Sequence, residues 1–133
     1  RYEAIIQKWI DNSNKALLVY GARQVGKTYI IREMLKRNGI TFFEINLIEQ
    51  TKICEALSKM DDARDIADIL AFYSDVPLIK KESVIFLDEI QKYPDILTKI
   101  KFLVDHMFSM YLFLSTYILY HLDQSQLDNL ILI

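Results

Sequence analysis

Gly21, Gly26, Lys27 and Thr28 stand at fixed spacing in the run Gly21-Ala22-Arg23-Gln24-Val25-Gly26-Lys27-Thr28. The pattern is Gly, four residues, Gly-Lys-Thr, the Walker A arrangement that binds phosphate. Each fixed position has a chemical use. The two glycines let the backbone pass through conformations that a side chain would block. The loop N–H groups can then converge on phosphate oxygens. Lys27 carries a point charge to the outer phosphates, and the Thr28 hydroxyl is a ligand for Mg²⁺. A helix that starts at this point adds the positive end of its dipole.

Asp88-Glu89, directly after the apolar run Ser83-Val84-Ile85-Phe86-Leu87, is the second chemical pair. Acids at the end of an apolar strand are common in loops and signal little alone. In an α/β chain that already holds a phosphate loop they are a Walker B candidate. Parallel strands end at one edge of the sheet, where ligands bind. Asp88 is then expected to face Thr28 across the metal, and Glu89 to orient and deprotonate the attacking water.

These residues need strands and helices to hold them. Residues 15–20 form an apolar run readable as a buried strand, and residues 29–37 repeat apolar positions at helical spacing before the stop signal Asn38-Gly39. Strand, glycine-rich loop and helix is the context that the phosphate motif requires. Residues 3–10 predict a helix with Ile5, Ile6, Trp9 and Ile10 on one face, Trp9 serving as a core anchor. Residues 11–14 are a turn cluster. Residues 40–46 predict a second strand, and residues 51–60 and 62–73 two helices, the latter capped by Asp61 or Asp62. A third strand covers 83–87. Pro94 stands where a helix would begin, its core stripe being Ile96, Leu97, Ile100, Leu103, Val104 and Met107. Residues 111–115 predict a fourth strand and 127–133 a fifth. The expected fold is α/β: a mostly parallel sheet flanked by helices in the three-layer P-loop NTPase sandwich, incomplete at the C-terminus.

Bulk properties narrow the function. The chain has 133 residues, 52 % hydrophobic and 26 % charged, which suits one globular domain spanning 1–133. The net charge of −2 gives no general attraction to nucleic acid. Arg32, Lys36 and Arg37 share one helix and read as a solvated face rather than a basic stripe. Cys54 has no second cysteine to pair with and reads as a small apolar residue in a reducing, cytoplasmic compartment. His106 and His121 lack companions at ligand spacing. No signal peptide is legible, and the apolar run 107–122 falls short of the roughly 20 residues of a membrane span.

Gly-Ala-Arg-Gln-Val-Gly-Lys-Thr, together with Phe86-Leu87-Asp88-Glu89-Ile90-Gln91-Lys92-Tyr93-Pro94, closely resembles a family of prokaryotic AAA+-like ATPases. That family carries a Gly-x-Arg-Gln-x-Gly-Lys-Thr loop, an Asp-Glu-Ile-Gln strand end and usually a further C-terminal domain. The resemblance covers roughly residues 1–115. It implies that residues 21–28 bind ATP, that Asp88 holds Mg²⁺, that Glu89 is the base, and that Gln91 joins a polar network beside them. Arg23 and Gln24 match family positions, and for each a solvated or inter-subunit contact stands as an equal alternative to a contact with nucleotide. Members of this fold that bind GTP commonly read guanine with Asn-Lys-x-Asp, which this chain lacks.

Two departures stand out. The family's fourth strand ends in a Thr-Gly-Ser-like sensor, whereas this chain reads Leu114-Ser115-Thr116-Tyr117. Ser115 or Thr116 is either a γ-phosphate sensor or an ordinary strand-end hydroxyl. The last arginine is Arg64, and no Lys or Arg follows Lys101. Related ATPases take an arginine finger from beyond the fourth strand, worth about 10³ to 10⁵ in rate. The sequence therefore predicts Mg²⁺-dependent ATP binding with slow or negligible hydrolysis by this chain alone, in a truncated domain. Its partners are the nucleotide and either further copies of the chain or a missing C-terminal domain. The alternatives are a non-enzymatic nucleotide-binding or interaction fragment, and a DNA-transacting motor subunit, which no basic stripe supports.

Overall fold

The computed structural model describes residues 2–12, 15–20, 26–79, 82–99, 102–103, 110–115, 124 and 130–132. Among these residues five parallel strands form one sheet in the order β2-β3-β4-β1-β5. They are β1 (Ala16–Tyr20), β2 (Thr41–Asn46), β3 (Ser83–Asp88), β4 (Met110–Ser115) and β5 (Leu130–Leu132). The helices are α1 (Tyr2–Asn12), α2 (Lys27–Arg37), α3 (Thr51–Ser58) and α4 (Ala63–Tyr73).

Strand alternation divides the core in two. Leu17 and Val19 of β1 and Val84 and Phe86 of β3 point to one face, where Ile6 and Trp9 of α1 and Ile31, Met34 and Leu35 of α2 cover them. Ala16, Leu18, Phe43, Ile45, Ile85 and Leu87 point to the other, against Ile53, Leu57, Ile66 and Leu70 of α3 and α4. All six residues of β3 are buried, as expected of a parallel strand covered on both sides. Trp9 is the anchor that its spacing predicts, and its indole N–H donates to the Lys15 carbonyl at 2.7 Å. Ile5 departs from the expected stripe and is 41 % exposed. The sheet-facing line of α1 runs through Ile6 and Trp9, three residues apart, and Ile5 lies a step to the outside of it.

Helix ends follow their local chemistry. Asp62 is the N-cap of α4, and its carboxylate accepts the Arg64 N–H at 2.9 Å. At the end of α2, Gly39 takes φ 67°, with Gly39 N–H on the Lys36 carbonyl and Ile40 N–H on the Leu35 carbonyl. Those two bonds make the Schellman stop announced by Asn38-Gly39. Asn38 also exchanges two amide hydrogen bonds with Gln7, at 2.9 and 3.0 Å, which tie α2 to α1.

After Pro94 the chain forms a 3-10 helix, Pro94–Lys99, following another at Ile90–Lys92, where the sequence predicts the start of a helix. Ile96, Leu97 and Leu103 of the predicted stripe are buried, while Ile100, Val104 and Met107 lie outside the described residues. Cys54 packs half-buried against the α3–α4 core and is a free thiol. Among the described residues no helix is long and apolar enough to cross a membrane.

Candidate functional site

Strand order fixes where the chemistry gathers. β1 ends at Tyr20, just before the candidate phosphate-binding residues in sequence, β3 ends in Asp88, and β4 lies between the two strands. Parallel pairing brings all three carboxyl ends to one edge: Tyr20 of β1 aligns with Ser115 of β4, and Leu114 with Asp88 of β3. Ser115 is thus placed at the same edge as the acids, between the two motifs. Gly21, Ala22, Arg23, Gln24, Val25 and Thr116 lie outside the described residues, as do His106 and His121.

Gly26 is the N-cap of α2 at φ 105° and ψ −14°, a left-handed conformation in which any added Cβ would be strained. The helix begins at once with Lys27 and Thr28, and the Ile30 N–H bonds to the Gly26 carbonyl at 2.8 Å. Both candidate side chains therefore occupy the first turn of α2. Lys27 borders a small apolar pocket lined by Ile6, Val19, Ile30 and Ile31.

Asp88 points to the α2 face because it continues the alternation of Val84 and Phe86. The Thr28 hydroxyl donates to Asp88 Oδ2 at 3.3 Å, joining the two motifs across 60 positions of sequence. The other carboxylate oxygen, Oδ1, accepts the Glu89 N–H at 2.8 Å. Glu89 makes that bond from a left-handed backbone, φ 59° and ψ 45°, which non-glycine residues rarely adopt. The strand stops there, and Glu89 is turned aside from the line of β3 while staying buried at 5 % exposure.

Burial is the main influence on Asp88, which is 8 % exposed, and it raises the carboxyl above its ordinary range. The Glu89 N–H and the Thr28 hydroxyl pull the other way, and the charges of Glu89 and Glu44 add to the rise. Asp88 is thus a buried acid held by two neutral donors, the Glu89 N–H and the Thr28 hydroxyl.

The acid strand is also held from its neighbour. Asn46 aligns with Asp88, and the Leu47 N–H bonds to the Asp88 carbonyl at 3.1 Å. The turn after Asn46 is closed twice: its side-chain oxygen accepts from Ile48 and Glu49, while Gln50 Oε1 accepts the Asn46 N–H at 2.7 Å. The sequence reading gave these residues no role. An Asn at a strand end four positions before Gln is the signal that could have found them.

Arg32 is the other addition. It stays exposed, as the sequence reading expects, and in addition forms a forked pair with Glu44 of β2, with both hydrogen bonds at 2.6 Å. The hydrogen bond to Glu44 raises the Arg32 pKa, partly opposed by burial. Lys36 does fit the expected surface role, 3.9 Å from Glu33.

The family model described as an AAA domain matches residues 13–127. This chain belongs to the AAA domain family. AAA domains are nucleotide-binding domains of the ATPase class, and the matched span includes Thr28, Asp88 and Glu89. Among solved structures, C. elegans PCH-2 is similar in fold, with a TM-score of 0.55 at 16 % identity. The similarity covers 98 % of this chain and 37 % of the PCH-2 chain, so this AAA domain spans little over a third of that protein's length. No curated protein matches the sequence.

Mg²⁺, the usual companion of nucleotide in AAA domains, suits the donors present. Mg²⁺ is commonly held by one or two carboxylates with phosphates and waters completing its shell. The Thr28 hydroxyl and the Asp88 carboxylate are hard oxygen donors already in contact. Among the described residues no group of three or more His, Cys, Asp or Glu could hold a metal by itself.

Proposed function

We propose that this chain is a Mg²⁺-dependent ATP-binding domain whose residues are arranged for hydrolysis of the β–γ phosphoanhydride, with slow turnover when the chain acts alone. The observation that carries this reading is the 3.3 Å hydrogen bond between Thr28 and Asp88, which joins the two halves of the motif pair. In this reading Gly21, Ala22, Arg23, Gln24, Val25 and Gly26 wrap the phosphates with backbone N–H groups. Lys27 binds the outer phosphates. Thr28 and Asp88 would hold Mg²⁺, which when bound neutralises phosphate charge. Glu89, turned off the strand axis beside Asp88, accepts a proton from the attacking water. Ser115, on the strand between the motifs, is a candidate γ-phosphate sensor together with Thr116.

The slow rate rests on the lack of any arginine after Arg64. An arginine finger contributes about 10³ to 10⁵ in rate, and a partner subunit is the class of molecule that would supply one. In the same reading, supported by the family resemblance alone, the domain works in a prokaryotic cytoplasm, either self-associating or joined to a further domain.

Calorimetric titration with ATP and Mg²⁺ tests the reading, with Lys27→Ala as control. Binding in the micromolar range, weakened at least about tenfold in the variant, is expected, since charge-assisted contacts to phosphate are worth about 1.5–3 kcal/mol. Equal affinity in both proteins would remove the site assignment. Glu89→Gln should keep binding and abolish the residual hydrolysis.

A further inference from the structure

Thr28 and Arg32 are one turn apart on α2 and so share a face of the helix. That face looks across two neighbouring strands. Thr28 meets Asp88 at the end of β3, and Arg32 meets Glu44 on β2. Register places the two acids together. Asn46 aligns with Asp88, and Glu44, two residues earlier, shares the face of Asn46. Phe43 and Ile45, between them, point to the opposite core. The chain thus holds two parallel polar contacts between one helix face and one sheet face, a single turn apart.

The two contacts differ in stiffness. The Thr28–Asp88 bond is a single hydrogen bond of 3.3 Å. The Arg32–Glu44 pair is bidentate, with Nε on Oε1 and Nη2 on Oε2, both at 2.6 Å. A planar fork fixes direction as well as distance. Most half-exposed ion pairs contribute little to stability, with bidentate geometry the main exception. An orienting role is therefore better matched to this pair than a large stabilising one.

We propose that Arg32, locked onto Glu44, is a positioning residue that sets the rotation of α2 so that the Thr28 hydroxyl faces Asp88 and the two can share Mg²⁺. The inference rests on the reading of Thr28 and Asp88 as the metal-holding pair. In this reading neither Arg32 nor Glu44 is assigned a contact with nucleotide or metal. They act on the metal contacts through the helix, as outer partners commonly do for first ligands.

The test is a double-mutant cycle read by calorimetry. ATP affinity is measured with Mg²⁺ and with EDTA in the wild type, Arg32→Ala, Glu44→Ala, the double variant and Arg32→Lys. Circular dichroism and thermal melting accompany each protein. The wild type is expected to gain affinity from Mg²⁺. Arg32→Ala and Glu44→Ala should each lose about tenfold of that gain, while affinity in EDTA stays within about twofold. The double variant should lose no more than either single one, because the pair acts as a unit. Arg32→Lys, which keeps the charge without the fork, should recover only part. A lower melting temperature with the Mg²⁺ gain intact would make the pair a simple brace and overturn the inference, as would additive losses. Should an alanine variant fail to fold, Arg32→Lys alone still separates the outcomes by the same Mg²⁺ gain. Failure of the underlying reading looks different: wild type and Lys27→Ala would bind ATP alike, and both proposals would fall together.

Discussion

Asp88 shows what the site costs at the scale of one residue. Its carboxyl is held above the ordinary range mainly by burial. The folded protein therefore holds this proton more tightly than the unfolded chain does. The group favours folding fully below the unfolded value of about 3.9, and that contribution is lost as pH rises through the raised folded value. At neutral pH the ionised acid opposes folding. Asp88→Asn should therefore melt higher than wild type at pH 7 without nucleotide, by about 1 kcal/mol of stability. The advantage should shrink toward pH 4, and the variant should lose the Mg²⁺-dependent gain in ATP affinity. Thermal melts of both proteins across that range check it, and a wild type more stable at pH 7 would contradict the burial argument. Thr28 and Asp88 were legible in the sequence because their spacing encodes backbone chemistry and strand-end placement. Arg32–Glu44 was not, because a helix cation and a strand acid carry no mark of which edge strand the helix crosses.

At the scale of elements, the site depends on turns that close the carboxyl edge. The β2–α3 turn is held by the reciprocal bonds of Asn46 and Gln50, and its Leu47 N–H reaches the Asp88 carbonyl. Removing the Asn46 side chain frees two N–H groups at an exposed turn, where water can replace the lost bonds. Asn46→Ala should then cost about 1 kcal/mol in urea unfolding and weaken Mg²⁺-dependent ATP binding in proportion to the loosening at Asp88. A cost near zero would show that the turn is set by the strands alone. Elements of this size were largely legible. Apolar runs and helical spacing marked every strand and helix around the site, and Asp62 and Gly39 marked their ends. The segment after Pro94 was less so. A proline suits the first turn of a 3-10 helix as well as of an α-helix, since both leave that N–H free.

Among the described residues helices cover both faces of the sheet, and the candidate site joins α2 to β3 at the carboxyl ends of the strands. Strand order was the least legible feature, because parallel strands with apolar runs look alike in sequence and any neighbour could pair with any other. The order β3-β4-β1 is what brings Asp88 and the carboxyl end of β1 to one edge with a single strand between them. A ligand held by Lys27, Thr28 and Asp88 together would bind the folded chain and not the unfolded one, in which those residues are scattered. Binding must then raise the melting temperature by mass action. At ATP and Mg²⁺ concentrations one hundred times the dissociation constant the stabilisation is about 2.7 kcal/mol. For a domain of this size that corresponds to a shift of roughly 10 °C. Differential scanning fluorimetry with ATP·Mg²⁺, ATP in EDTA and Mg²⁺ alone reads it directly. The full shift should need both ligands if, as proposed, the nucleotide binds the loop and the metal binds the Thr28–Asp88 pair that links α2 to β3. An equal shift with ATP in EDTA would leave the phosphate loop as the whole of the binding site and detach Asp88 from it.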